Sequence, residues 1–171
     1  MLLFSTVKNH PLTFVKLSNC LEHKELVATW FTDEWGYIYD KSSASREEAI
    51  AIRKDKMPDR AERIWMVLLG SQPIGMFSLE PKEFDIRLMD RMPPTCEIYY
   101  VYVDKNFRSL GVGSQIVREI KRCAKEDMGT DLILLDTLKP KLKRMYEKEG
   151  AKVLCENQLE LQPTEVLSIT I

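Results

Sequence analysis

Arg108-Ser109-Leu110-Gly111-Val112-Gly113 is the one hexapeptide in this chain built to hold an anion. The arginine brings a positive charge, and the glycines let backbone amides approach a phosphate closely. The flanks sharpen that reading. Ile98 to Val103 is an unbroken run of apolar, β-branched and aromatic residues, the pattern of a strand buried on both faces. On the other side, Ile116, Val117, Ile120, Cys123 and Ala124 recur at the spacing of one helical face. A buried strand therefore feeds a glycine-containing loop, and the loop feeds a helix N-terminus. Unpaired N–H groups and about +0.5 of macrodipole charge gather there. Two well-known phosphate loops do not fit. There is no G-x-x-x-x-G-K-[ST]. A dinucleotide fingerprint needs a third glycine where Ile116 stands, and it follows its strand directly, whereas seven residues separate Val103 from Gly111.

Other elements must position this loop. Leu12 to Leu17 reads as a first strand, and Asn19 with Glu22 as a helix start. Leu26, Val27, Trp30 and Phe31 make an apolar helical stripe, which Asp33-Glu34-Trp35-Gly36-Tyr37 interrupts. Ser45 with Glu48 predicts a second helix from Arg46 to about Lys56, ending before Pro58. Ile64–Leu69 and Ile74–Leu79 form a hairpin around Gly70-Ser71-Gln72. Glu80 to Thr95 is a long segment with Pro81, Pro93 and Pro94, and loops of that length are often functional. After the central strand, loop and helix comes Leu132–Leu135, which implies a right-handed crossover and a parallel pair. Lys139–Glu149 is a short helix with Pro140 in its first turn, and Val153–Cys155 and Val166–Ile171 form a last antiparallel hairpin. The fold class is α/β, a mixed central sheet flanked by about four helices.

The chain has 171 residues, 44% hydrophobic and 30% charged, with a net charge of −1. That fits a single domain over residues 1–171 and gives no basic excess for nucleic acid. Four scattered cysteines and two histidines, without a C-x-x-C, predict no metal site and a reducing compartment. Lys8, His10 and Pro11 interrupt any signal-peptide core, and no apolar run nears the ~20 residues of a membrane helix. A cytoplasmic protein, off the membrane, is the expectation.

Arg108-x-x-Gly111-x-Gly113 resembles the R/Q-x-x-G-x-G/A loop of the GNAT N-acetyltransferases. Met145-Tyr146-Glu147-Lys148-Glu149-Gly150-Ala151 is similar to that family's Y-x-K-x-G-F/A segment, and the order of elements matches from Leu12 to Ile171. Trp30 to Trp35, with the loop near Pro93, resembles a common bacterial, single-domain branch. The resemblance implies acetyl-CoA as cosubstrate and no metal. It implies that the backbone of Val101, Tyr102 and Val103 pairs with the pantetheine arm. The amides of Ser109, Leu110, Gly111, Val112, Gly113 and Ser114 would hold the pyrophosphate, with Arg108 adding charge. Thr137 stands where an asparagine often touches the cofactor. Ser109, Leu110 and Lys105 depart from the commoner glycine, basic residue and proline.

The same resemblance assigns the chemistry. Glu97 has the spacing to Arg108 and Gly111 of a general-base glutamate in the histone-acetylating branch, and burial at a strand opening would raise its pKa. Tyr146 is the expected general acid toward the departing thiolate. The N–H of Tyr102 or Val103 is the expected oxyanion donor. Cys96 has no histidine near it in sequence, and strand alternation points it away from Glu97, so it reads as a buried structural cysteine. Glu34, Trp35 and Tyr37, the Asp85–Pro94 loop and the last hairpin near Gln158 should frame the acceptor, aromatics and carboxylates suiting a cationic amine. Trp30 and Trp35 could equally pack the first helix on the sheet. The function read here is direct acetyl transfer to a primary amine, a small molecule first and a peptide N-terminus or lysine second. A non-catalytic CoA-binding module and a dinucleotide enzyme are the rivals. A strand edge or the last hairpin could support a homodimer.

Overall fold

The computed structural model describes residues 11–39, 45–82, 93–137, 139–158 and 163–171. Strand β1 (Leu12–Lys16) is followed by two short 3-10 turns and helix α1 (Lys24–Tyr39). Then come α2 (Arg46–Lys56), a 3-10 segment (Pro58–Arg63), β2 (Ile64–Leu69), β3 (Gln72–Pro81) and β4 (Thr95–Val103). A 3-10 turn (Lys105–Phe107) leads to α3 (Val112–Glu126), β5 (Leu132–Asp136), α4 (Pro140–Lys148), β6 (Lys152–Gln158) and β7 (Pro163–Thr170). The strands form one sheet in the order β1-β2-β3-β4-β5-β7-β6. Among the described residues only β4 and β5 run parallel; the other pairings are antiparallel. The mixed sheet and parallel crossover are as the sequence predicts. The last hairpin holds one turn of topology the sequence does not reveal: β7 lies between β5 and β6.

Strand alternation sorts the core into two layers. Trp65, Val67, Phe77, Leu79, Cys96, Ile98 and Ile133 face α3 and α4, meeting Ile116, Val117, Ile120 and Tyr146. Ile64, Met66, Met76 and Tyr102 face the opposite way, toward Val27, Trp30 and Phe31 of α1. Helix α3 supplies its apolar face as the sequence predicts: Val112, Ile116, Val117, Ile120, Cys123 and Ala124 are all buried. Ser45 caps α2, its Oγ accepting from the Glu48 N–H at 3.1 Å.

Two expectations are corrected. Asn19 and Glu22 do not start the first helix; they lie in 3-10 turns without side-chain caps, and α1 begins at Lys24. Nor does the period break at Asp33: α1 continues through Gly36 to Tyr39. Packing overrides composition there. Trp35 sits 5.0 Å from the Tyr100 ring and 5.5 Å from Phe31, while Asp33 is clamped by two nitrogens of Arg46 at 2.6 and 2.8 Å.

Candidate active site

The two parallel strands are together for only three residues. Thr95, Cys96 and Glu97 pair with Leu132, Ile133 and Leu134, and beyond them β4 and β5 diverge. Tyr99 is skipped in the β3 register, where Ser78 faces Tyr100 and Leu79 faces Ile98. Such a bulge bends a strand and increases its twist. The result is a wedge whose β4 wall, Ile98 to Val103, has no strand partner on the β5 side. Direction along that wall follows from alternation. The Asp104 N–H donates to Ile74 O of β3 at 2.8 Å, and the Tyr102 carbonyl lies close enough to Gly75 that a Cβ there would stand 2.5 Å from it. Tyr102 therefore turns its backbone to β3, and Val101 and Val103 turn theirs into the wedge. Of the two oxyanion donors the sequence leaves open, Val103 has the free N–H.

The loop closing the wide end of the wedge is shaped for anions. Gly111 is the N-cap of α3 at φ 81°, in the left-handed region, and no side chain caps the helix. Nothing lies within 4 Å of the place a Cβ of Gly111 would take. The amides at the start of α3 carry no side-chain cap and have the polarity a diphosphate needs. The loop's residues fit a CoA diphosphate, and the wedge fits an extended arm pairing with Val101 and Val103. A Cβ at Gly113 would lie 2.5 Å from Met145 Sδ, so the missing side chain lets α3 seat against α4 beside Tyr146. Leu110 is partly buried against the core, which accounts for an apolar residue in a basic position. The Oγ1 of Thr137 accepts from the Lys139 N–H at 3.2 Å, a turn at the start of α4.

Ser109 is the only described residue other than glycine with positive φ, at 65°. That conformation costs an L side chain about 1–2 kcal/mol. Ser109→Gly is therefore expected to raise stability by up to about 1 kcal/mol, a Tm increase of about 2–4 °C by calorimetry. An unchanged or lower Tm would mean the serine side chain compensates for its backbone.

Arg108 is exposed yet tied down at both ends of its guanidinium. Its Nε donates to Val103 O at 2.8 Å, its guanidinium stands 5.5 Å from the Tyr102 ring centre, and a terminal nitrogen reaches Glu34 at 3.1 Å. Lys139 pairs with the other oxygen of Glu34. One α1 carboxylate thus clasps the loop after β4 to the segment after β5. Burial resists ionisation of Glu34, but the hydrogen bonds from Lys139 and Arg108 outweigh it and hold the carboxyl below the usual glutamate range. A depressed folded pKa gives stability that is present above the unfolded value near 4.5 and lost as pH falls through the folded one. Glu34→Gln is expected to remove that segment of the acid limb in pH-dependent melts, while an identical limb in the variant would show that the clasp adds nothing.

Across the wedge the titratable groups divide by face. Tyr146, 4% exposed, comes from α4. Its hydroxyl is held protonated, by burial first and by the nearby Asp136 charge second. Glu97 is on the α1 face, with the carboxylate at 2.5 Å from Lys82 Nζ. The sequence expects a carboxyl desolvated at the opening of a buried strand; the structure gives a partly buried one in an ion pair, whose hydrogen bond raises the lysine's pKa. Asp136, which the sequence reading passes over, ends β5 between these groups. It keeps an open edge to the wedge, yet the protein packed around it raises its pKa, and repulsion from Glu97 adds to the rise. Strand register places it: Asp136 follows Leu134, the register partner of Glu97, by two residues and so shares its face.

Cys96 is fully buried on the opposite face, its Sγ 3.5 Å from Thr130 Oγ1, and burial pushes its thiol up. It has the place expected of a structural cysteine. All four cysteines are free, and no cluster suited to a metal exists among the described residues. Trp35 is partly buried, edge-on to Tyr100 and Tyr102 and tilted against Phe31. Tyr37 falls in the last turn of α1. Asp85 and most of its loop lie outside the described residues, and no described helix is long and apolar enough to cross a membrane.

The sequence profile of the Acetyltransferase (GNAT) family matches residues 24–151, the span that holds both walls of the wedge and its loop. The chain belongs to that family. It is by membership an acetyl-CoA-dependent acetyltransferase, and the resemblance read from Arg108 to Ala151 holds. Solved GNAT structures share the fold at low identity. The PaiA N-acetyltransferase from Thermoplasma acidophilum, in complex with coenzyme A, is 16% identical with a TM-score of 0.66, covering 94% of this chain and 99% of that one. The Drosophila melanogaster polyamine N-acetyltransferase is 11% identical with a TM-score of 0.68, covering 94% and 100%. A chain of the NatC complex bound to Gag peptide and CoA is 14% identical with a TM-score of 0.65, covering 94% and 98%. No curated protein sequence matches this GNAT chain.

Proposed function

We propose that this GNAT protein transfers the acetyl group of acetyl-CoA directly to a primary amine held on the α1 face of the wedge, with a small-molecule amine as first acceptor. One observation carries the reading. The wedge has a neutral phenol on one side and a pair of carboxylates on the other, and transfer through a ternary complex needs that division. The amine nitrogen forms a bond to the acyl carbon as the carbon–sulfur bond breaks. Glu97 or Asp136, directly or through water, takes the proton the amine must lose. The Val103 N–H donates to the carbonyl oxygen as charge builds there. Tyr146 donates its O–H toward the departing sulfur. Net charge near zero gives no pull toward a polymeric acceptor, which favours a small molecule. A peptide amine is the second reading, since the fold is shared with the peptide-bound NatC chain.

A primary-amine panel with acetyl-CoA tests the transfer, and the pH profile tests the proton's route. Glu97→Gln is expected to lower kcat/KM by about 10–100-fold. It is also expected to move the acid limb to lower pH, because it removes the repulsion that raises Asp136. A limb that stays in place would exclude the carboxylate pair as proton acceptor. Acetyl-CoA bound tightly with no amine acetylated would favour a regulatory CoA-binding module.

A further inference from the structure

We infer that Lys82 is an acetyl acceptor of the protein's own active site, modified from the acetyl-CoA that the same chain binds. The inference rests on the transfer reading and names an amine within the chain that fits it. Lys82 follows β3 directly, and its N–H donates to Thr95 O at 3.0 Å, which extends the β3–β4 ladder by one residue. Glu80 is the cross-strand partner of Glu97, so alternation sets Glu80, Lys82 and Glu97 on one face. From there the Lys82 Nζ reaches Glu97 and stands 2.5 Å from its carboxylate.

The two neighbouring carboxylates differ in what they hold. Glu80 takes Arg60 at 2.9 Å and Arg63 at 2.5 Å. A guanidinium keeps its proton, so those pairs do no chemistry. Glu97 instead takes a primary amine, which becomes a nucleophile once it loses a proton. A general base must lie within hydrogen-bond reach of the proton it removes, and Glu97 does. The sulfur's proton donor is near as well. The charge of Asp136, at the end of β5, acts on Lys82 and on the Tyr146 hydroxyl alike. The Lys82 ammonium therefore already holds the place proposed for that of the acceptor. Its side chain is 35% exposed on a flexible four-carbon stem, and tethering replaces the encounter with a separate amine.

The step balances with acetyl-CoA as the other reactant. The ammonium gives one proton to Glu97. Its nitrogen forms a bond to the acyl carbon as the carbon–sulfur bond breaks. The nitrogen's second proton leaves as the amide forms and replaces, through water, the one that Tyr146 gives to the sulfur. The products are acetyl-lysine and the CoA thiol. The amide is neutral, so the reaction stops at one acetyl per chain and leaves Glu97 without this cation.

The full chain is incubated with acetyl-CoA and followed by intact mass and peptide mapping, beside the amine panel. Lys82 is expected to gain one acetyl at least about tenfold faster than any other lysine, at a rate independent of protein concentration. Reaction with acetyl-CoA free in solution predicts the reverse order, because the hydrogen bond to Glu97 raises the Lys82 pKa. Glu97→Gln, with its melting temperature checked, separates the two accounts again. Loss of the base should slow Lys82 by about tenfold or more, whereas reaction from solution would quicken as the ammonium loses its partner. Gly111→Glu should abolish the labelling along with cofactor binding. An unmodified Lys82, an even spread over the lysines, faster labelling in Glu97→Gln or unchanged labelling in Gly111→Glu would each overturn the inference. Panel amines acetylated while Lys82 stays unmodified would keep transfer and reject Lys82. Lys82 modified while no panel amine reacts would keep Lys82 and reject the small-molecule acceptor.

Discussion

Tyr146→Phe is expected to lower kcat by about two to three orders of magnitude and to leave the affinity for acetyl-CoA nearly unchanged, the range that loss of a positioned proton donor gives. The phenol is buried, on the α4 face, and its surroundings hold it protonated. Asp136 contributes to that state, since ionising the phenol beside a carboxylate would set two negative charges together. Only an oxygen is removed, so the ring still fills the core beside Ile116, Ile120 and Leu135 and the fold is retained. Single-turnover kinetics with melting controls checks it. A kcat within threefold of wild type would mean the sulfur leaves without help from this residue.

Gly111→Glu is expected to weaken acetyl-CoA binding by more than about 100-fold in calorimetric titration. Two effects add. A side chain at φ 81° costs about 1–2 kcal/mol unless the loop rearranges. A carboxylate placed over the first amides of α3 then repels the anion those amides are shaped to receive. Gly111→Ala separates the terms, because it brings the strain without the charge and should weaken binding by about tenfold. Equal affinity in all three proteins would show that the diphosphate does not use this loop.

The legible parts of the chain were those where local rules and packing agree. The apolar face of α3, the cap at Ser45, the β2–β3 hairpin and the strand, loop and helix around Gly111 could all be read because each fits its own sequence period or cap. The end of α1 could not. Gly36 and a cluster of polar and aromatic residues look like a break, and only the docking of Trp35 on Tyr100 and the Asp33–Arg46 clamp carry the helix on. Site residues followed the same division. Tyr146 and the loop stand in sequence motifs. Asp136 and Lys82 belong to the site through strand register, which no local pattern encodes. Arg108 was visible as a charge, but its attachment to Glu34, 74 residues away, was not.

The place of β7 has a consequence for how the protein is made. Residues 163–170 fill an interior position, paired on one side with β5 and on the other with β6. While a ribosome still holds that segment, β6 has no strand to lie against. The edge of β5 from Leu132 to Asp136 that turns away from the wedge then stays open to any passing strand. The nascent chain should remain protease-sensitive and chaperone-dependent until the segment emerges, although both motifs that name its family are long since translated.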